Sequence, residues 1–551
     1  MTQIFKIYSE YEKITNTHTI NEGKTIKELL CYDDVCYWWF IDVFLLLYLS
    51  KPENKEISYI STLLDLFKYL PIPLITICVT FLSFFWKIHL FDYYSLRNQK
   101  KLKTSILYRE LFTEIRYAAT GAPKNIYHQD IMDILRNTTG VTEFFNFGVG
   151  FSSSRKLRRH LCASTYLVNS PTYVEKHLSF NVFKKTLKSE FHFKKSVEHI
   201  NKNETFFNEL AQISGKNEKS IRRYLTFLVL AVLPYSVWYI GLCENMINIY
   251  SPSVLVMRDE QTLSGRGLIY AAKKHQVCTI GIQHGVLENH EAYLVHNSND
   301  ILHGLDYNIC AFPIPDITCV WGESDKKLLI GVAGYPANSI VLTGNPRYDY
   351  ISDAYCKYSR SAFCETYGIS ERDTIITWTT QSHGFSISEN IQYLEEVFST
   401  LSTIENVTLI IKQHPYEKDI HTNLINDYVE RYGGMMSVVF PDKMENTTEM
   451  VYISDIVINC FSTTGQEAVA FHKPMIILDF SKVKDRVDFV KEGVGIPVYH
   501  PGSLRKVIMH IIDEGCDMVK AQDTYISNHM YKLDGHSSQR IADVVIQNIK
   551  K

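Results

Sequence analysis

Residues 253–285 read SVLVMRDEQTLSGRGLIYAAKKHQVCTIGIQHG, and this stretch decides the fold. An apolar run is followed at 264–276 by a segment with helical spacing and a serine start, and then by a second apolar run at 278–285. Short apolar runs that alternate with amphipathic segments are typical of strand–helix–strand units in a parallel sheet. Similar runs at 316–323 and 339–346 supply a third and a fourth strand. The sequence around this stretch therefore predicts an α/β domain.

A second series of the same kind follows. Its predicted strands are 373–381, 407–415, 436–441, 455–462, 474–480 and 495–499. Helical spacing at 387–401 and 463–472 fits the connections between strands. We therefore predict an α/β fold with two Rossmann-like, doubly wound domains. Two such domains that face a cleft form the GT-B architecture of nucleotide-sugar enzymes.

The length of 551 residues exceeds what one hydrophobic core supports, which is about 250 to 300 residues. We predict that the acceptor-side domain has a helix-rich, aromatic and basic N-terminal part at 1–250 and a Rossmann-like core at 251–365. A nucleotide-donor domain is predicted at 366–500, followed by C-terminal helices at 501–551. The turn GNPRYD at 344–349 is expected to mark the end of the first domain, with Arg347 paired to a carboxylate.

Several features of the N-terminal half bear on whether the protein contacts a membrane. The charge-free runs at 69–86 and 224–243 are long enough for membrane helices, but prolines interrupt both, so they are interpreted as either membrane contacts or core helices. Basic clusters at 155–160 and 183–195 fit either peripheral contact with anionic lipid or a solvated surface. The aromatic run at 36–49 is interpreted as a core helix.

The composition narrows the class of protein. No secretory signal is evident, so a cytoplasmic location is expected, with peripheral contact at the inner face of the cell membrane as an option. The twelve cysteines lack the close pairs of a zinc site and are expected to be reduced thiols. A net charge of −3 gives no argument for nucleic-acid binding.

Polar residues at the strand ends of the first domain are the catalytic candidates. Ligands of doubly wound sheets bind beyond the carboxyl ends of the strands. His284 is predicted to take a proton from an attacking hydroxyl, and Gly285 lets a ligand approach the backbone closely. Asp259 and Glu260 are competing bases, and either one could instead orient His284. A structural histidine is the alternative.

Two motifs of the second domain predict a nucleotide site. KQHP at 412–415 offers a cation and an imidazole to a phosphate, and CFSTTGQEAVAFHKP at 460–474 places hydroxyls before a helix N-terminus, which attracts anions. Glu467 is placed to hold a ribose, although a simple N-cap with a capping-box glutamate needs the same residue types. The predicted nucleotide-binding residues are Gln381, His383, Lys412, His414, Pro415, Ser462, Thr463, Thr464, Gly465 and Glu467.

No metal-binding motif is found in the sequence, so neither a metal nor another cofactor is expected. If a diphosphate leaves, helix dipoles and His414 would have to stabilise its charge.

The motifs MRDE, IQHGV, VWGE, LTGNPRYD, KQHP and CFSTTGQEAVAFHKPMIILD occur in that order between about residues 250 and 500. This set resembles the GT-B surface-polysaccharide group: capsule and lipopolysaccharide glycosyltransferases, the CDP-glycerol glycerophosphotransferases of teichoic acid synthesis and, more distantly, UDP-N-acetylglucosamine 2-epimerases. The resemblance implies that His414 and the hydroxyls of 462–464 hold the nucleotide phosphate, that Glu467 holds its ribose, and that His284 is the acceptor-side base. The turn TTGQE departs from the serine-rich turn of the teichoic acid enzymes.

The resulting expectation is a metal-independent glycosyltransferase that moves a sugar from a nucleotide-sugar donor to a glycan or glycolipid acceptor of the cell surface. A CDP-alditol phosphotransferase and a nucleotide-sugar 2-epimerase are the enzymatic alternatives. A non-catalytic GT-B scaffold in a polysaccharide assembly complex is the third.

Overall fold

The computed structural model describes residues 3–50, 106–109, 115–117, 123–125, 129–139, 142–146, 172–287, 300–301, 312–414, 417–442, 446–481 and 487–549. The chain forms two compact units. Unit 1 comprises Met1–Thr343 and Ser538–Lys551, and unit 2 comprises Gly344–Ser537.

The centre of unit 1 is a parallel sheet of seven strands. In chain order they are β1 (Ile106–Arg109), β2 (Thr142–Asn146), β3 (Thr172–Tyr173), β4 (Val254–Met257), β5 (Cys278–Ile282), β6 (Ile317–Val320) and β7 (Ile340–Leu342). Their order across the sheet is β7-β6-β5-β4-β1-β2-β3. The direction of winding reverses between β4 and β1, and this switch point is where doubly wound sheets bind ligands.

The four strands predicted for this domain are confirmed, but the prediction that the chain before residue 250 is helical was wrong in part. Strands β1, β2 and β3 come from that half and complete the sheet. They read ILYR, TEFFN and TY, and the polar residues among their few apolar ones leave no continuous apolar run to indicate a buried strand.

Helices cover the sheet of unit 1 and build most of its core. They are Gln3–Thr17, Ile26–Leu29, Asp42–Ser50, Gln129–Thr139, Phe180–Asn201, Glu204–Ser214, Glu218–Phe227, Leu233–Tyr250, Leu263–Lys274, Glu323–Gly331 and Ser537–Gln547. The aromatic residues Tyr37–Phe40 form a short 3₁₀ turn and are buried in this core. The interpretation of that run as core is therefore confirmed, but only its part from Asp42 onward is α-helical.

The apolar run at 224–243 lies in one helical segment, Glu218–Tyr250, despite Pro234. The five residues Leu228–Val232 form a π-helical turn just before the proline. A proline has no N–H to donate and its ring crowds the preceding turn, and the wider π turn accommodates it. Among the described residues this is the one helix long and apolar enough to cross a membrane, and 67 % of its apolar window is buried inside the protein. The runs at 69–86 and 155–160 lie outside the described residues.

Unit 2 is built on a parallel sheet of six strands, all of them predicted. They are β8 (Thr374–Thr379), β9 (Val407–Lys412), β10 (Ser437–Val439), β11 (Ile456–Asn459), β12 (Met475–Leu478) and β13 (Ile496–Val498). Their order is β10-β9-β8-β11-β12-β13, the Rossmann order, with the switch point between β8 and β11. The helices are Ala354–Lys357, Arg360–Tyr367, Ile387–Leu401, Asp419–Tyr432, Thr447–Ile453, Thr464–Ala470, Leu504–Glu514 and Val519–His529. The predicted α/β fold class, with two Rossmann-like, doubly wound domains, is confirmed.

The boundary between the units falls at the GNPRYD turn rather than at residue 365. Tyr348 in this turn and Ile351 just after it pack with Ala470 and Met530, all in unit 2. At the other end, the helix Ser537–Gln547 returns to unit 1. Its apolar residues Ile541, Ala542 and Val545 pack against strands β1, β4 and β5.

Candidate functional site

The switch point of unit 2 is organised by buried amides. The Gln381 Oε1 atom accepts a hydrogen bond from the Phe461 backbone N–H at 2.7 Å, which ties the end of β8 to the segment after β11. The Asn459 Oδ1 atom accepts from the Thr379 hydroxyl at 3.1 Å and from the Ser462 N–H at 3.2 Å. Its Nδ2 donates to the Ser462 carbonyl at 3.1 Å. Asn459 therefore shapes the turn, a role that the sequence did not single out.

The hydroxyls after β11 form a local network. The Ser462 hydroxyl donates to Thr464 Oγ1 at 3.0 Å and accepts from the Thr464 N–H at 3.2 Å. Ser462 and Thr464 are half-buried, and Thr463 is exposed. The helix Thr464–Ala470 has no side-chain cap from Thr463. The Ser462 hydroxyl instead caps this first turn through the Thr464 N–H, as the simple N-cap alternative predicted, while the Glu467 carboxylate of that alternative's capping box bonds Thr448.

The Glu467 carboxylate is buried among polar partners of unit 2. Arg347 Nη2 lies 3.4 Å from Glu467 Oε1, so the predicted pairing of Arg347 with a carboxylate is confirmed. The Thr448 hydroxyl donates to Glu467 Oε2 at 2.9 Å and lies 3.0 Å from the Tyr350 hydroxyl. Burial raises the pKa of Glu467, and the Arg347 charge opposes that rise. The ribose role of Glu467 stays a prediction, and a ribose hydroxyl would have to replace one of these partners.

The KQHP motif follows β9. Lys412 is the last residue of this strand and is buried. Gln413 exchanges two hydrogen bonds with the Thr422 hydroxyl, at 2.9 and 3.1 Å, which fixes the segment against the next helix. His414 is half-buried, and its carbonyl accepts from the Glu417 N–H at 3.0 Å. Pro415 lies outside the described residues.

Glu417, which the sequence did not single out, joins the ends of β8 and β9. Its carboxylate accepts from the Thr380 hydroxyl at 2.9 and 3.0 Å and from the Ser382 N–H at 2.7 Å. The backbone of His383 belongs to the short turn that starts at Ser382. Gln381, Lys412, His414 and the hydroxyls of 462–464 thus all follow neighbouring strands at the carboxyl edge of one sheet.

Gly465 gives a testable prediction about this edge. A Cβ built on it would lie 2.6 Å from Asn459 Nδ2 and 2.6 Å from Phe489 Cζ. We expect Gly465→Ala to lower the free energy of unfolding by about 1–3 kcal/mol through overpacking, measured by urea denaturation. Gly434→Ala is the matched control in unit 2, since a Cβ there meets nothing within 4 Å. Equal stability of the two variants would contradict the packing described.

At the switch point of unit 1, Asp259 is held in a buried ion pair. Its Oδ2 atom lies 2.5 Å from Arg109 Nη2, and the two side chains are 8 % and 3 % exposed. The Thr262 hydroxyl lies 3.0 Å from the same oxygen, and Arg109 Nη2 also donates to the Ser264 hydroxyl at 2.7 Å. Arg109 ends β1 and was missed because that strand was not predicted. The Oδ2 atom of Asp259 is thus engaged within the unit, whereas Oδ1 is buried and has no hydrogen-bond partner among the described residues.

Glu260 lies beside β5. A Cβ built on Gly281 would be 3.9 Å from its carboxyl carbon. Although the side chain keeps some exposed surface, its Oε2 atom is buried and has no hydrogen-bond partner among the described residues. Burial raises the pKa of Glu260 to about 8. The carboxyl group is therefore largely protonated at pH 7.

His284 follows β5, and its neighbours fix the backbone on both sides of it. Gln283 accepts from the Trp321 N–H at 2.8 Å and donates to the Gly285 carbonyl at 2.8 Å. Arg258 donates to the His284 carbonyl. Burial and the Arg258 charge lower the pKa of His284 to about 4. The imidazole is therefore neutral at pH 7, the form that can accept a proton.

In the part of the chain that the structure describes, no group of three or more His, Cys, Asp or Glu side chains is placed to hold a metal ion. The absence of a metal from the reaction stays a prediction.

The chain is similar in fold to several solved structures. The UDP-GlcNAc 2-epimerase from Neisseria meningitidis bound to UDP-GlcNAc is 12 % identical, with 81 % of this chain and 100 % of that chain covered and a TM-score of 0.49. The S. aureus MnaA–UDP structure is 13 % identical, with 82 % and 98 % covered and a TM-score of 0.45. The wall teichoic acid polymerase TagF is 12 % identical, with 83 % and 92 % covered and a TM-score of 0.42.

Comparison of the sequence with curated proteins finds no match. The family model of the CDP-Glycerol:Poly(glycerophosphate) glycerophosphotransferases matches residues 248–547. That span is more than half of the chain and includes β4–β7 of unit 1 and the whole of unit 2. The motifs that carried the resemblance lie within it. The chain therefore belongs to the CDP-glycerol:poly(glycerophosphate) glycerophosphotransferase family.

Proposed function

We propose that this protein transfers an alditol phosphate, such as glycerol phosphate, from a cytidine-diphosphate-activated donor to a hydroxyl of a growing cell-surface polymer. The family match over residues 248–547 is the observation that carries the proposal. The reaction is placed at the cytoplasmic face of the membrane and uses no metal.

The proposed roles follow the chemistry of the two sheet edges. In unit 2, Lys412 and His414 would neutralise the donor phosphates, and the hydroxyls of 462–464 would donate hydrogen bonds to them. Gln381 and Gly465 would keep the turn in place, as their contacts with Phe461 and Asn459 support. Glu467 is the ribose candidate and would exchange the Thr448 hydroxyl for that of the sugar.

In unit 1, His284 is the proposed general base, because its imidazole is unprotonated at pH 7 and can accept a proton, although the lowered pKa makes it a weaker base than an ordinary histidine. The acceptor oxygen would form a bond to the donor's distal phosphorus, and the bond between the two phosphates would break. His284 would take the hydroxyl proton, and a nucleoside monophosphate would leave. Asp259 is less suited to this role because its Oδ2 atom bonds Arg109 and Thr262 and the Arg109 cation stabilises the unprotonated carboxylate, although Oδ1 has no hydrogen-bond partner among the described residues.

Sugar transfer from a nucleotide-sugar donor to a surface glycan or glycolipid is the second candidate. The turn TTGQE at 463–467 favours it, since this turn departs from the serine-rich pattern of the teichoic acid enzymes. In that reaction the bond at the anomeric carbon breaks, and the leaving group is a nucleoside diphosphate.

The nucleotide that is released distinguishes the two reactions. The full chain is incubated with CDP-glycerol or with UDP-sugars, a polymer primer and EDTA, and the nucleotides are separated by chromatography. We expect primer-dependent release of CMP from CDP-glycerol, and loss of this release in His414→Ala. Release of a nucleoside diphosphate would instead support sugar transfer. Binding without any release would overturn both proposals in favour of a scaffold.

A further inference from the structure

The helix Phe180–Asn201 of unit 1 is fixed in its rotation by contacts on its inner side. It packs against the helix Leu233–Tyr250 at Gly241, where a Cβ would lie 2.9 Å from Val182 Cγ2. The Ser196 hydroxyl donates to the Leu29 carbonyl at 2.9 Å. The Tyr32 hydroxyl donates to the Lys185 carbonyl at 3.2 Å. These contacts determine which side chains the helix presents to solvent.

The outward face of this helix combines aromatic rings with lysines. Its exposed residues are Phe180, Asn181, Lys184, Lys188, Phe191, Lys194, Lys195 and Glu198. At about 100° per residue they occupy an arc of about 140°, and the two phenylalanines lie about 16 Å apart along the axis. Both phenylalanines are 77 % exposed, the highest exposed fraction among the large apolar side chains that the structure describes. We name this set the Phe–Lys face.

Charge and apolar area act together on the Phe–Lys face. Among the described residues, none of the lysines 184, 188, 194 and 195 forms an ion pair within 4 Å, whereas Lys185 on its flank pairs with Asp33. The single acid on the face is Glu198. Anionic lipid attracts such a cluster of lysines, and aromatic rings insert at the boundary between headgroups and acyl chains. A soluble polyanion would use the lysines but gain little from the rings.

We propose that the Phe–Lys face docks the protein on the surface of an anionic lipid bilayer. The inference rests on the membrane location proposed above and names the surface responsible for it. The helix lies outside residues 248–547, so the family match does not account for this face.

Vesicle binding without any nucleotide tests the inference independently of transferase activity. The full chain is sedimented with vesicles of phosphatidylcholine alone or mixed equally with phosphatidylglycerol. We expect binding to the mixed vesicles only, and weaker binding as salt rises. Phe180→Ser/Phe191→Ser is expected to lower the partition coefficient roughly tenfold, and Lys184→Gln/Lys188→Gln/Lys195→Gln roughly a hundredfold.

Tyr355→Ser is the matched control, because this aromatic residue of unit 2 is 73 % exposed and lies far along the chain from the helix. It is expected to bind vesicles like the wild type. All the substituted residues are exposed, and thermal melts verify that each variant is folded. Vesicle binding that survives both sets of substitutions would overturn the inference. So would a lysine effect without a phenylalanine effect, because the face would then bind anions in general without inserting its rings into a bilayer.

Discussion

His284→Asn is expected to lower the rate of transfer by about 10²- to 10⁴-fold, the usual contribution of a general base. Asparagine retains a polar side chain of similar size but cannot take the acceptor proton. Because Gln283 and Arg258 hold the backbone around this position, the segment should keep its conformation. Single-turnover release of the nucleotide is the measurement. Nucleotide binding to the variant, followed by thermal stabilisation, is expected to be unchanged.

The pH dependence of the rate separates His284 from Glu260. The pKa of His284 is lowered to about 4, first by burial and then by the Arg258 charge, so its basic form is complete above about pH 5. The pKa of Glu260 is raised to about 8, so the fraction of Glu260 in its basic, unprotonated form increases with pH up to and beyond about pH 8. A base at His284 therefore gives a rate that is flat between pH 5 and 7. A base at Glu260 gives a rate that rises over the same interval.

Two variants serve as controls for this profile. Glu260→Gln is expected to retain most of the activity if His284 is the base. Arg258→Met removes the positive charge next to the ring and should move the acid limb of the profile upward, toward the ordinary histidine pKa of about 6.5. The buried carboxyl of Asp325, whose pKa is raised to about 7, also titrates near this site because it bonds Gln283. A rate that rises with pH in the wild type but not in Glu260→Gln would contradict the assignment to His284.

Much of the fold could be predicted because the central strands of both sheets are apolar runs that are buried along their whole length. All ten strands predicted after residue 250 are present, and their ends bring Gln381, Lys412, His414 and Ser462 to one sheet edge as expected. The sequence shows which residues follow each strand, and because parallel strands run in the same direction, their carboxyl ends lie at one edge of the sheet. The strands β1, β2 and β3 of the N-terminal half read ILYR, TEFFN and TY, and polar residues interrupt any apolar run there, so Arg109 was missed with them.

The chemistry of the individual carboxylates was harder to predict. Three carboxylates follow or flank a strand: Asp259, Glu260 and Glu467. The sequence does not show which of them is ion-paired, protonated or hydrogen-bonded in the folded protein. In the structure Asp259 is ion-paired, Glu260 is mostly protonated, and Glu467 bonds Thr448. These differences depend on partners 19 to 150 positions away in the chain, such as Thr448 for Glu467 and Arg109 for Asp259. Spacing within a motif carries no information about them.

Arg109→Met is expected to lower the free energy of unfolding by about 3–5 kcal/mol, because it leaves the Asp259 carboxylate buried without its counter-ion. The two groups are 2.5 Å apart, and neither side chain is more than 8 % exposed. Methionine keeps the apolar stem, so the loss reports on the charge rather than on packing volume. Urea denaturation followed by circular dichroism measures the effect.

An exposed pair on the same unit provides the comparison. Arg136 lies 3.1 Å from Asp133, and the side chains are 34 % and 51 % exposed. Arg136→Met should change the unfolding free energy by no more than about 0.5 kcal/mol, since water screens the pair. A loss below about 1 kcal/mol in Arg109→Met would show that the buried pair is not required for stability.

The double variant Arg109→Met/Asp259→Asn decides between a structural and a catalytic Asp259. If the ion pair is structural, removing both charges should recover about 1–3 kcal/mol of the single-variant loss, since the uncompensated charge has gone. The transfer rate per folded molecule should then stay close to that of the wild type. If Asp259 is the base, the double variant should regain stability without regaining activity. Because the Arg109 ion pair and the Thr262 hydroxyl both hold Asp259 through Oδ2, the first outcome is expected.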